Sequence, residues 1–587
     1  MRVGRCVTMA MATLLSPLCR LCAQDSVPPH LAPVSNRGRL PRAGCAGQKI
    51  TDIVVVTQPP YTDKLPRQAE FLRRAARSLH VTTRVDVIRR FLLLDVGEPC
   101  NQIRRAESER ILRAQPYLVD ARIDVYDDEQ GGVRLEVQTR DEFSLIAEPN
   151  VQFTSPVLKG MRLGESNLGG TAVMAAVNWR DGGPYNDVIG AQLTDYQFGG
   201  ARNELRLLGQ RYEHGQELRA EVIRPYYTDL QRFAWVASLG GTRDYVGFLR
   251  PGRDANAVNV VRQFADVGAV SRLGPIGRLK LLGLSLTREY VRTDSLPVLL
   301  TDMGIRSDSA GVLPVRFRQQ RVVRLNGLLG LRRLRFERVQ GFDALDGAQD
   351  IRVGMQMNAV YGQSLGAGNA IDRDRFVATN LYAGLGGARW FSGIQAIGEA
   401  RYNRNRKAWE NLISSGRVAW YFKPAVKQLT LVQAEWGAAR NMQVPFQLSL
   451  ADYDGGILGH GYSDEPGAKR LVFRAEQRLI VPTRYNVADV GFAGFAEMGK
   501  LWAERSVPYS VTTPWRGAVG VSILAAIPPH SRRLWRVDFA LPISSDPQRR
   551  FEIRFSNDDR TRVFWREPAD VSSFRERTVP TSLFSWP

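Results

Sequence analysis

Cysteine and histidine are scarce in this chain of 587 residues, at five each. Five histidines leave little from which to build a multi-histidine metal centre. Cys6, Cys19 and Cys22 fall within the first 23 residues, so the remaining pair, Cys45 and Cys100, makes no disulfide scaffold. Long apolar runs are absent too. Beyond residue 23 no stretch of 18 uncharged apolar residues occurs, which excludes a helical membrane span. Enzyme signatures are equally thin, with no His-Glu-x-x-His and no pair of Cys-x-x-Cys motifs. Gly494 to Lys500 spells a phosphate-loop frame, but Leu501 stands where a Ser or Thr must hold magnesium. The chain is read as a non-enzyme without cofactor or metal.

What is present is an apolar fraction of 44%, enough for a folded core, and a basic balance of 80 Lys+Arg against 59 Asp+Glu, a formal charge of +21. Arg2 and Arg5 followed by the apolar stretch Cys6–Leu18 predict a signal peptide over 1–23, and hence a cell-envelope or secreted protein. Residues 24–49, rich in Pro, Gly and Arg, read as a flexible arm. Residues 50–147 read as a small α+β domain. A strand covers Ile50–Val56, helical spacing runs over Gln68–Leu79, and a helix capped by Thr82 or Thr83 carries Val85, Ile88 and Phe91. A further helix, capped by Asn101, reaches Ala114, and strands follow at Ala121–Tyr126 and Val133–Thr139. Cys45 and Cys100 flank this domain in an oxidising compartment and are candidates for a disulfide, with two unpaired buried thiols as the alternative.

From residue 148 onward the pattern changes to short strands of period two. Trp535, Val537, Phe539 and Leu541 alternate with Arg536 and Asp538. Phe551, Ile553 and Phe555 alternate with Glu552 and Arg554. Leu282, Leu284 and Leu286 oppose Ser285, Thr287 and Glu289, and Ile351, Val353, Met355 and Met357 are placed on one face. About 440 residues of this texture without a helical segment favour a transmembrane barrel with its apolar face to lipid and its charges to the lumen. The arginines alternate within strands instead of clustering with stacking aromatics, so the charge is read as lumen lining or lipid headgroup contact, not nucleic-acid binding.

The order of motifs resembles a known family. Thr82–Ile88, Gly97-Glu98, Glu107–Arg113 and Tyr117–Ala121 look like a polypeptide-transport-associated (POTRA) domain. Gly456–Tyr462, Leu471–Leu479 and Gly494–Trp502 look like the barrel of the BamA/TamA outer-membrane superfamily (bacterial surface antigen barrel). The resemblance implies a mainly β fold: a 16-stranded antiparallel barrel over 148–556, one POTRA domain in the periplasm, and 557–587 as a strand extension or tail. It implies assistance to insertion, assembly or translocation of unfolded outer-membrane or secreted polypeptides. The clients would be received on a strand edge within Val119–Tyr126, with outer-membrane lipids and periplasmic or lipoprotein partners around the barrel. A two-partner-secretion-type transporter and a passive porin are the alternatives. The family loop that folds into the lumen matches Gly459, His460, Gly461 and Tyr462, with Glu476 and Glu497 as its carboxylate partners. His460 stands in the family's arginine position and Glu497 in its aspartate position. An imidazole would tether the loop less firmly than a guanidinium, and more firmly at low pH.

Overall fold

The computed structural model describes residues 41–559 except 61–79, 129–130, 153–157, 182–186, 295, 302–303, 309–312, 314–316, 367–371, 452–454, 461–464, 482–486 and 544–550, together with 568, 570 and 571. The expected signal peptide, most of the arm, the helix expected over Gln68–Leu79, and Gly461 and Tyr462 lie outside the described residues.

The N-terminal domain holds four strands, β1 (Ala46–Gln58), β2 (Pro99–Asn101), β3 (Leu118–Asp127) and β4 (Val133–Asp141), in the order β2-β1-β4-β3. β1 lies parallel to β4, and β3 antiparallel to it. β1 begins at Ala46, so the last residues assigned to the arm are already sheet. Cys45 and Cys100 form a disulfide with Cα atoms 5.0 Å apart, stitching the start of β1 to β2. Helix α1 (Val85–Phe91) has Arg84, not a threonine, at its N-cap position, and the Arg84 side chain makes no capping bond. Thr83 is used instead to donate its N–H to Asp141 at 2.7 Å. Helix α2 (Gln102–Arg113) starts at Asn101, whose side chain accepts from the N–H groups of Ile103 and Arg104. The core comprises Ile50, Ile88, Phe91, Ile111, Leu112, Ile123, Leu135 and Val137, and it is completed from outside the domain by Ala172 and Tyr227.

The rest of the chain is a closed antiparallel barrel of 20 strands, from β5 (Leu145–Gln152) to β26 (Glu552–Asp559). A small hairpin, β14 (Val298–Thr301) and β15 (Gly304–Ser307), sits beside the wall, because β13 (Leu279–Thr293) pairs directly with β16 (Gln320–Gln340). The expectation of 16 strands is corrected to 20. Alternation shows which way a strand faces, not where it ends. A connection such as the three residues 387–389 between β18 (Asp374–Gly386) and β19 (Trp390–Asn403) leaves too short a gap to see.

The wall faces as expected. Leu282, Leu284 and Leu286 are exposed on the outside, while Ser285, Thr287 and Glu289 are buried within. Trp409 and Trp515 stand exposed near one end of the wall, and Trp390, Trp420 and Phe422 near the other, an aromatic girdle at each interface. One face assignment is corrected. Met355 and Met357 are exposed, but Ile351 and Val353 are buried with Phe342 and Tyr421. Between them Gly354 has φ +123°, and a Cβ there would lie 2.1 Å from the Arg333 carbonyl oxygen. Glycine alone lets the strand invert its facing at that point.

The N-terminal domain is seated on the turns at one mouth of the barrel. Arg113 grips Asp350 through two bonds of 2.8 and 2.9 Å, and Arg338 meets Asp120 at 2.8 Å. Ser531 donates to Glu142 at 2.6 Å, and Gln197 donates to the Val87 carbonyl at 2.9 Å. Burial pushes the Glu142 carboxyl above its ordinary pKa, against the pull of Arg533.

The disulfide closes a separation of 55 residues. Cys100→Ser is expected to lower the stability of the N-terminal domain by roughly 4 kcal/mol on the chain-entropy account. Limited proteolysis should cut this domain at a lower temperature than in the parent, while the heat-modifiable electrophoretic mobility of the barrel stays unchanged.

Candidate functional site: the inward loop and the seam

Strand alternation places a defined set of side chains in the lumen. Along β22 (Lys469–Val481) these are Arg470, Val472, Arg474, Glu476 and Arg478. Along β23 (Asp489–Trp502) they are Phe495, Glu497, Gly499 and Leu501. The phosphate-loop frame therefore lies within a barrel strand, with Leu501 buried. A Gly-x-Ser-x-Gly stretch, Gly362–Gly366, also runs out of a strand, β17 (Ala348–Leu365). Ser364 accepts the N–H of Asp374 in the facing strand, which is not the strand-to-helix turn of a hydrolase elbow.

The connection from β21 (Gln428–Arg440) to β22 folds inward. Leu448 and Gly467 exchange two backbone bonds at its base. Toward its tip, Leu458 donates its N–H to Glu497 at 2.9 Å, and Gly459 donates its N–H to Glu552 at 2.6 Å. Arg474 donates to the other oxygen of Glu497 at 3.0 Å and to the Gly456 carbonyl. Leu458 packs against Phe495 and Ala540, and Gly499 makes room for the loop, since a Cβ there would lie 2.8 Å from Leu450. His460 follows, buried at 3% exposure.

Of the two expected carboxylate partners, Glu497 binds the loop through the Leu458 backbone. Glu476 engages Arg478 and, at 2.8 Å, Arg536. Arg536 also holds Asp538 at 2.5 Å, forming an ion-pair string across strands beneath the loop. Glu552 and Arg474 were not singled out from sequence, although both lie on polar faces that the alternation marks. What period two cannot show is a partner on the far side of the lumen.

Glu552 matters for a second reason: it opens β26, the strand that closes the barrel against β5. Among the described residues, two residue pairs join these strands, Arg554 with Gln152 and Phe555 with Val151. By contrast β26 matches eight residues of β25 (Arg533–Pro542), and β5 matches seven of β6 (Leu158–Glu165). The described parts of β5, β6 and β26 have 8 residues each, as do β7 (Val173–Arg180) and β8 (Val188–Asp195), against 21 in β12 (Arg253–Leu273) and in β16.

The expected capture edge is corrected. β3 is the last strand of its sheet, but its outward groups are occupied. Ile123 donates to Glu109 at 2.8 Å and accepts from Arg105 at 2.7 Å, and the Ala121 carbonyl accepts from Arg113 at 3.3 Å. Pro41–Ala43 bonds the far end, through Ala43 N–H to the Val125 carbonyl and Asp127 N–H to the Pro41 carbonyl. Helix α2 and the arm thus cover the edge, a common protection against strand addition.

No family model and no curated protein sequence matches the chain. Among solved structures it is similar to CdiB from Escherichia coli, at 13% identity over 94% of this chain and 98% of that one, with a TM-score of 0.40. It is similar to BamA from Haemophilus ducreyi lacking POTRA domains 1–3, at 12% identity over 87% and 85%, TM-score 0.37. It is also similar to BauA, the ferric preacinetobactin receptor of Acinetobacter baumannii, at 8% identity over 75% and 85%, TM-score 0.32. At these identities and TM-scores the likeness carries nothing about activity.

Releasing both carboxylate anchors should free the loop. With His460→Cys as a reporter, labelling by a water-soluble maleimide is expected to be slow in the parent. It should be about tenfold or more faster after Glu497→Gln and Glu552→Gln, since each removes a charge-assisted bond to a backbone N–H. Equal labelling rates in folded barrels would show that the loop is held by other contacts.

Proposed function

We propose that this chain is an outer-membrane protein of the BamA/TamA-like kind, with its N-terminal domain, a POTRA domain by topology, on the periplasmic side. Its role is to assist the insertion, assembly or translocation of other polypeptides at the membrane. The observation that carries the reading is the seam: among the described residues two residue pairs join β26 to β5, where the other strands of the wall are paired along most of their length. Strands that part there expose a row of backbone donors and acceptors, and an extended client can add to it. No covalent chemistry is required. With the β3 edge covered, the seam is the site of client pairing, and the N-terminal domain stands at the mouth through which a client arrives. Outer-membrane lipids would surround the wall, and periplasmic or lipoprotein partners would bind beside the domain.

The test is folding in liposomes. Protein carrying Val151→Cys and Phe555→Cys, reconstituted in vesicles, is mixed with urea-unfolded outer-membrane barrels, and heat-modifiable mobility is followed over time. Reduced protein is expected to accelerate folding and oxidised protein to lose that acceleration. The parent under the same two conditions controls for the Cys45–Cys100 bond. Deletion of residues 41–141, which leaves β5 intact, should weaken the effect. Folding that is no faster than in empty vesicles, with the reconstituted barrel itself intact, would overturn the proposal in favour of a passive pore.

A further inference from the structure

The outer face of the wall carries a groove of about 390 Å³ across β18 to β22, a volume within the range of about 300–1,000 Å³ that small-ligand sites occupy. Its floor is a row set by strand register. Thr379 faces Gly398, Gly398 faces Ser414 in β20 (Ala408–Phe422), Ser414 faces Ala438, and Ala438 faces Lys469. By alternation these positions share the outward face with Leu381, Val418 and Val432, which stand exposed. Elsewhere that face carries bulky side chains such as Leu284, Leu329 and Met355. Here β18 to β21 present a hydroxyl, a methyl or less. Packing does not demand it, since a Cβ on Gly398 would meet nothing nearer than the Thr379 hydroxyl at 3.4 Å, an ordinary contact. A bulge bends the wall at the same place: the register of β19 with β20 shifts between Glu399 and Arg401, where Asn411 takes φ 50°. Trp436 forms one side. Its indole N–H donates to the Ser414 hydroxyl at 3.3 Å, and its ring lies over Gly416, where a Cβ would collide with it.

One end of the groove is basic. Arg440 and Lys469 are exposed there, diagonal neighbours on β21 and β22 with Cβ atoms within roughly 7–8 Å. Lumenal arginines such as Arg401 and Arg478 pair with carboxylates, whereas among the described residues neither Arg440 nor Lys469 does. This end is remote from the N-terminal domain. Lys427, just before β21, meets Asp346 at 3.6 Å in the turn that His530 contacts, and the adjacent Ser531 bonds Glu142 of the domain. Arg440, the last residue of β21, therefore lies at the opposite rim, at the level of the girdle residue Trp409. An apolar trough that begins at two cations beside an aromatic girdle has the layout of one lipid, with its anionic headgroup at the interface and a hydrocarbon chain along the wall.

We infer that this groove binds one anionic lipid, with an acyl chain lying over Gly398 and Ser414 and a headgroup phosphate held between Arg440 and Lys469. A guanidinium and an ammonium converging on one phosphate favour a headgroup of net negative charge over a zwitterionic one. With the N-terminal domain on the periplasmic side, this rim lies in the outer leaflet, and the occupant is the phosphorylated saccharide lipid of that leaflet. The leaflet rests on the function proposed above; the groove and its preference for an anionic headgroup do not.

Native mass spectrometry of the detergent-solubilised chain, titrated with a diphosphoryl glucosamine-disaccharide lipid or with phosphatidylcholine, reads the site with no client present. The parent is expected to retain one copy of the diphosphoryl lipid and to bind it about tenfold or more tighter than phosphatidylcholine. Arg440→Ala with Lys469→Ala is expected to remove that preference. Gly398→Leu leaves both charges, fits the open space and fills the groove, so it is expected to weaken retention of the diphosphoryl lipid roughly tenfold. Heat-modifiable mobility of each variant checks that its barrel is folded. Equal retention of the two lipids by the parent would overturn the inference. So would a folded Gly398→Leu variant that holds the diphosphoryl lipid like the parent, because the cations would then act without the groove. A dimer mass that Gly398→Leu reduces to a monomer would assign the groove to a second copy of the chain instead. None of these outcomes touches the folding assay at the seam, and a negative folding assay leaves the lipid titration standing.

Discussion

Everything in this molecule follows from one constraint. In hydrocarbon a backbone N–H or C=O has no water to bond, so a sheet that crosses a membrane has to close on itself. Nineteen of the twenty joints in this wall meet that demand along most of the shorter strand, and among the described residues the joint between β26 and β5 does so at two residue pairs. The loop then supplies from inside what the joint lacks across it. Glu552 is the first residue of β26, and its carboxylate holds the Gly459 N–H while Glu497 holds that of Leu458. The strand at the seam is therefore tied to the inward loop as well as to β25.

The same closure decides where the charges go. Strands that present apolar side chains to lipid present every second residue to the lumen, and many of those are arginines. Left alone in a desolvated interior each would be expensive, and removing one partner of such a pair costs more than the pair contributes. The structure answers with strings rather than isolated pairs. Arg478, Glu476, Arg536 and Asp538 run across β22 and β25, and Arg401, Glu289, Arg324 and Asp374 form a second string. These lumenal arginines face carboxylates across the strands.

Much of the fold was legible in the sequence because period two is a direct consequence of a wall with lipid on one side. Leu282 to Glu289 and Trp535 to Asp538 face as their alternation demands. The signal fails at three kinds of place. Strand number was underestimated because the turns at the domain's mouth are short and leave the pattern unbroken. Facing was misjudged at Gly354, where a backbone of φ +123° reverses the alternation without altering it in sequence. Cross-lumen partners were out of reach altogether. Glu552 and Asp570 bind groups 93 and 100 residues away, and nothing local distinguishes them from any other inward carboxylate.

The small domain shows why topology alone misleads about use. Its strand order leaves β3 at the edge of the sheet, and an edge invites a partner strand. But α2 lays Arg105, Glu109 and Arg113 along that edge, and Arg113 also grips Asp350 on the barrel. One residue thus closes the edge and fastens the domain to the wall. The core extends the same coupling, because Tyr227 and Ala172 come from barrel turns, and Tyr227 stacks edge-on against Phe91 at 6.0 Å. The β3 edge is covered from within the domain by α2 and the arm, and Arg113 and Tyr227 couple that cover to the barrel.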